Sequence, residues 1–455
     1  MIRYTAVSAL ALLGACAEQA AETSAPEPAE PEAGATTAPD VEAETETGTA
    51  SLDAVAEDYV KLSLALEAHD PGFVDAYYGP EDWRTAAEAE AASLDTVSDR
   101  ADALLARAEQ AEPDASDALS DDRKAFLIAH LEAMQTRIRM ARGEALPFDE
   151  ETQSLYGVVT PEPDMEEVEA ALAEIDDLLP GEDPLWKRVD DFKKRLEIPD
   201  ENLQAVMDAA IEECRVRTLD HVSLPGDESF RLELVTDQPW SGYNWYQGGH
   251  ESLIEINTDL PVRIDRAVDL GCHEGYPGHH TLNVLRETRM VGERDWIEFT
   301  MFPLYAPTAL IAEGTANYGI DMAFTPEERE AFERDVLYPL AGIDPALAET
   351  NAALREDMQA LRLMRADTAR DYLDGDIDAE TYKDRIQRYT LTSPERAAQS
   401  LDFTETYRGY VVNYGVGEVM AGQYVDRVGG DDETARWDAF IHAIATPVLP
   451  SDLQD

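Results

Sequence analysis

The chain has 455 residues, 44% of them hydrophobic, enough to bury a large core; 95 acidic residues against 36 basic ones give a formal net charge of −59. A surface of that sign repels phosphates and anionic head groups, so nucleic-acid binding and attachment to a membrane by charge are excluded. The acidity suits solvation in a salty medium, where ions screen the self-repulsion.

The first fifteen residues read as a signal peptide. Arg3 supplies the positive start, and the apolar run from Ala6 to Leu13 is too short to span a bilayer. The run ends in Leu13-Gly14-Ala15-Cys16, which resembles the bacterial lipobox. That resemblance implies cleavage before Cys16, acylation of this cysteine and membrane attachment through it alone. Ala17, standing where an Asp would retain the protein at the inner membrane, implies the outer membrane, facing the periplasm. Residues 16–50 are predicted to be a disordered tether: from Ala17 they hold nine acids, no Lys or Arg, and almost no large apolar side chain.

Residues 51–455 read as one α-rich domain. Val55, Tyr59, Leu62 and Leu66 recur at helical spacing, and a turn is expected at Asp70-Pro71-Gly72. Helices are predicted over 84–111, 115–142, 164–178, 185–195 and 199–220, with breaks at Pro161 and Pro163 and at Pro180-Gly181. The period then changes. Phe230, Leu232 and Leu234 alternate with other residues, Tyr243, Trp245 and Gln247 form a second run, and Leu253 to Asn257 a third. These predict a small antiparallel sheet just before the chemical motif, after which helices resume from about 262 to the end. Cys214 and Cys272 are expected to be buried free thiols, although an exported protein permits a disulfide.

The chemistry concentrates in His273-Glu274-Gly275-Tyr276-Pro277-Gly278-His279-His280. It begins like the helical zinc motif, in which two histidines four apart share a face and the Glu activates water. Here the position four after His273 is Pro277. On an unbroken helix His279 would lie about 240° around from His273, and His280 about 10 Å along the axis. Neither could then share an ion at bonds of about 2.0–2.1 Å. The helix must therefore break at Pro277-Gly278, folding one of the two histidines back. Glu313 is the best third ligand, because residues 299–312 and 314–320 carry no charge, and a carboxylate inside so apolar a helix needs a partner. Asp269, one turn before His273, and Asn317, one turn after Glu313, are candidates to orient the ligands. His250 reads as a loop residue; it and His221 are the reserve ligands.

Residues 271–280 and Glu313-Gly314-Thr315-Ala316-Asn317-Tyr318 resemble the bacterial family called domain of unknown function 885, which is related to gluzincin zinc metallopeptidases. The likeness extends to Asp75-Ala76-Tyr77-Tyr78-Gly79-Pro80, to Phe148-Asp149-Glu150-Glu151 and to the run from Tyr407 to Gly417, and so covers nearly all of residues 51–450. Thr315 departs from it, since Trp is usual there, and a changed pocket wall is the expected consequence. The resemblance implies His273, His279 and Glu313 as ligands of one zinc ion and Glu274 as the base. His280 stays open as the rival of His279, or as a group that binds substrate or an oxyanion. Tyr414 matches a family tyrosine, and it or Arg408 is a candidate donor to the tetrahedral intermediate. In gluzincins an edge strand before the motif pairs with extended peptide, a role the resemblance gives to Leu253 to Asn257.

Together these readings predict a mainly helical zinc hydrolase of the metallopeptidase type, acting on a peptide or small amide through a Glu-activated water. The alternatives are a zinc-dependent amide or ester hydrolase of another substrate, and a non-catalytic zinc-binding lipoprotein, which would have no need of Glu274.

Overall fold

The computed structural model describes residues 51–238 and 240–454. The signal peptide, lipobox and tether therefore lie outside the described residues.

The described chain is mainly helical. The first helix, Leu52–Leu66, starts at Ser51, whose side chain accepts from the Ala54 amide. It buries Val55, Tyr59, Leu62 and Leu66, each contributing roughly 1.5–3 kcal/mol of transfer free energy. The helix expected over 84–111 is instead two, Glu81–Glu90 and Leu94–Gln110. Ala91 turns into the left-handed region at φ 47°, and Ser93 caps the second helix by accepting from Thr96. Alanine carries no breaker signal, so only the Ser93 cap could have shown the break.

Five strands form two small sheets: β1 (Val74–Tyr77), β2 (Ser229–Val235), β3 (Gly242–Tyr246), β4 (Glu251–Asn257) and β5 (Met301–Pro303). β1 and β5 pair antiparallel; both are too short to show a period in the sequence. The other three run in the order β2-β4-β3, with β4 parallel to β2 and antiparallel to β3. The sheet is thus mixed, not antiparallel. Alternation along a strand reports which face is buried, not which strand lies beside it. One consequence corrects the expected role of Leu253 to Asn257: β4 is paired on both sides and has no edge to offer, whereas β3 is an edge strand.

The helix Pro307–Ala323 ties the core together. Ala309, Leu310 and Ile311 enter one hydrophobic cluster, Ala312 and Tyr318 a second, and Ala323 a third. It crosses the helix Val412–Gly429 at backbone contact: a Cβ on Gly314 would stand 2.3 Å from the Gly417 carbonyl carbon. Only glycine permits this approach, which sets Glu313 beside the C-terminal tyrosines.

Cys214 and Cys272 form a disulfide, with Cα atoms 5.4 Å apart. This corrects the expectation of free thiols; spacing in the sequence carries no sign that the two meet. The bond ties the helix Asp200–Leu219 to the residue before His273. Closing a separation of 58 residues restricts the unfolded chain by about 4 kcal/mol on loop entropy.

Candidate metal centre

The motif forms because its helix fails at the predicted place. The helix Ile264–Leu270 widens into a π-helical turn, Gly271–Gly275, and a cis Tyr276-Pro277 bond reverses the chain. A new helix begins at His279. Gly278 donates its amide to Cys272 O at 3.0 Å. A Cβ there would lie 1.9 Å from His273 O, so no other residue fits the bend.

The fold-back brings His273 and His279 together, with ring centroids 4.6 Å apart and planes at 87°. Ligand atoms of His273, Glu274 and His279 all lie within 4.8 Å of one another. Glu313 approaches from the facing helix: Oε2 is 3.3 Å from His273 Nε2, and Oε1 is 3.7 Å from His279 Nε2. Tyr410, which the Tyr407–Gly417 run includes without a role, donates its phenol to Glu313 Oε1 at 2.8 Å. Asn317 accepts from His273 Nδ1 at 2.9 Å. Asp269 has no such role; it pairs with Arg329 and Arg266, and these arginines outweigh its burial and hold its carboxyl down to about 2.

These contacts fit a cation. With Nδ1–H engaged by Asn317, His273 turns its Nε2 toward Glu313 Oε2. That oxygen is buried and has no hydrogen-bond partner among the described residues. Positive charge is called for between them, and either a proton on Nε2 or a metal ion in its place supplies it. Burial opposes charge on His273, but Glu274 and Glu313 overcome it and lift the ring to about 9. Burial lowers His279 to about 4, keeping its lone pair free. Burial also pushes Glu274 up to about 7, helped by Glu313 and opposed by His273.

β3 lies directly over Glu274. A Cβ on Gly242 would meet Glu274 Oε1 at 2.9 Å, and Asn244 Nδ2 donates to Glu274 O at 2.6 Å. The next residue on the strand, Tyr243, donates its phenol to Asp75 on β1. Asp75 stands in the quoted Asp75–Pro80 run, so the sequence marked the segment without assigning the contact.

The remaining expected residues divide. His280 is fully buried. Its Nε2 donates to Glu228 at 3.1 Å and its Nδ1 accepts from Ser252 at 2.7 Å, so neither nitrogen is left for substrate. Glu228 also accepts from Tyr276 and Arg215. Burial works against its charge, but these donors prevail and hold it down to about 2. This corrects the expectation that His280 serves substrate or an oxyanion. Arg408 is likewise committed: its Nε donates to buried Glu151 at 2.8 Å, and Gly409 N donates to the same carboxylate. The pair fixes the turn that presents Tyr410. Tyr414 is half-buried, packed against Tyr410 and Phe403, and within electrostatic reach of Glu313 and Glu274. Thr315 is buried and donates to Ile311 O within its own helix. His250 lies in the turn between β3 and β4, 3.2 Å from Asp227, and His221 stacks on Trp437.

No protein-family model matches the chain, and no curated protein is similar to it. The family likeness of its motifs therefore remains an expectation. Among solved structures, the chain is similar to one described as "the putative lipoprotein from Colwellia psychrerythraea", with a TM-score of 0.51, 13% identity, and coverage of 90% of this chain and 76% of that one. A second, "a putative lipoprotein of unknown function from Shewanella oneidensis", has a TM-score of 0.45, 9% identity, and coverage of 90% and 73%. At these identities the first likeness bears on fold alone.

Proposed function

We propose that this chain is a zinc-dependent hydrolase, most simply a peptidase, with His273, His279 and Glu313 holding one zinc ion. The observation that carries the reading is the pair of histidine nitrogens turned toward Glu313, whose Oε2 lacks any other partner. Zinc bound there would polarise a scissile carbonyl and acidify water. The protein's own groups supply the rest. Glu274, beside both histidines, takes the proton of the attacking water and returns it to the leaving amine. Asn317 holds the His273 ring in the tautomer that frees Nε2. The Tyr414 phenol, kept protonated by burial, is the candidate donor to the developing oxyanion. An extended peptide laid along the outer edge of β3 would gain main-chain hydrogen bonds next to Glu274.

Lipid attachment at Cys16 belongs to the same proposal. The lipobox-like sequence Leu13-Gly14-Ala15-Cys16 supports it. No helix among the described residues is long and apolar enough to cross a membrane.

Protein purified without chelator is expected to carry about one zinc per chain by elemental mass spectrometry. Absence of any transition metal, with no uptake from added zinc, would contradict the reading.

A further inference from the structure

Several arginines of this acidic chain have no carboxylate partner among the described residues, and one of them, Arg365, is linked to Glu313 through a run of packed aromatic rings. It opens the helix Met364–Leu373, and its neighbours along the chain are paired: Arg362 with Glu418 at 3.0 Å and Arg370 with Asp367. Arg365 pairs with no carboxylate among the described residues; its Nε is buried without a hydrogen-bond partner. Its guanidinium lies 4.8 Å from the centre of the Phe403 ring.

Its position follows from a close contact. A Cβ on Gly415 would meet Arg362 O at 2.7 Å, so the Val412–Gly429 helix presses on the segment leading into Arg365. Phe403 packs edge-on against Tyr414, and Tyr414 against Tyr410, which bonds Glu313. Phe403, Tyr407 and Tyr414 are half-buried, and Phe403 packs against both tyrosines.

We infer that Arg365 captures a carboxylate of the substrate, drawing the scissile bond toward Glu274; this rests on the hydrolase reading. A guanidinium fork against an aromatic surface matches a carboxylate in shape and charge, and partial desolvation strengthens the pairing. The surrounding charge of the chain repels anions at long range, so the capture is a short-range, specific contact. Two sources present the same group: the α-carboxylate of a peptide C-terminus, and an Asp or Glu side chain.

The test uses zinc-loaded Glu274→Gln protein, which holds substrate without turning it over, and reads binding by affinity mass spectrometry. Three pools of N-acetylated tripeptides are compared: free acids without Asp or Glu, the same peptides as C-terminal amides, and amides carrying one Glu. The acids are expected to bind about 30-fold more tightly than the plain amides, and Arg365→Gln to remove that preference. Tight binding of the Glu-containing amides alone would assign the carboxylate to a side chain. Equal binding of all three pools overturns the inference, as does a preference that survives Arg365→Gln. If that variant does not fold, the comparison of pools on the parent protein decides. A carboxylate preference with no hydrolysis by the unmutated chain would count against the hydrolase reading and leave only the carboxylate capture standing.

Discussion

His279→Ala is expected to weaken zinc binding by more than about 100-fold, while His280→Ala keeps its zinc. Loss of groups that merely orient a ligand costs about 10–100-fold in affinity, and loss of a ligand itself costs more. The two residues are adjacent yet lie in different environments. His279 Nε2 faces Glu313 across 3.7 Å, next to His273. His280 is bonded at both nitrogens, to Ser252 and Glu228. Its removal leaves a buried serine and a buried carboxylate each short of one partner, a cost of about 1–3 kcal/mol per group. His280→Ala should therefore lower the melting temperature without emptying the site. Titration of both variants against a zinc chelator, beside thermal melts, checks the contrast. Equal loss of zinc in the two would contradict the geometry.

Glu274→Gln is expected to retain zinc and lose about 10²–10⁴-fold in turnover. The substitution preserves shape, which matters because Gly242 lies so close to Glu274 Oε1. An amide cannot accept the proton of the attacking water, and nothing else next to the two histidines replaces it in that role. His273, His279 and Glu313 are untouched, so metal content should hold. Zinc lost together with activity would make Glu274 a ligand, which its place within 4.8 Å of both histidines allows.

Much of this site was legible in residues 271–280 and at Glu313. Pro277 and Gly278 demanded a broken helix, and Gly278 sits where a Cβ would strike His273 O. The choice between His279 and His280 was not legible from geometry. It depends on which way the new helix leaves the bend, and so on Ser252 and Glu228, which lie 28 and 52 residues away in sequence. Tyr410 was hidden for a similar reason. It lies within the Tyr407–Gly417 run, but nothing local shows that the Gly314–Gly417 crossing brings it to Glu313. Asp269 stood at the right helical spacing, but Arg329, sixty residues on, takes it. The mixed sheet and the disulfide share this character. Each is a pairing between distant segments, and local pattern records which side of an element is buried rather than what lies against it.

The central claim is tested most directly by peptide hydrolysis on the purified, unmutated chain. A diverse pool of unlabelled peptides is incubated with the protein as isolated, after chelation, and after zinc is restored, and new peptide ends are counted by mass spectrometry. The account expects new ends with the isolated protein, their loss on chelation and their return with zinc. No new ends from a protein that demonstrably holds one zinc would contradict it.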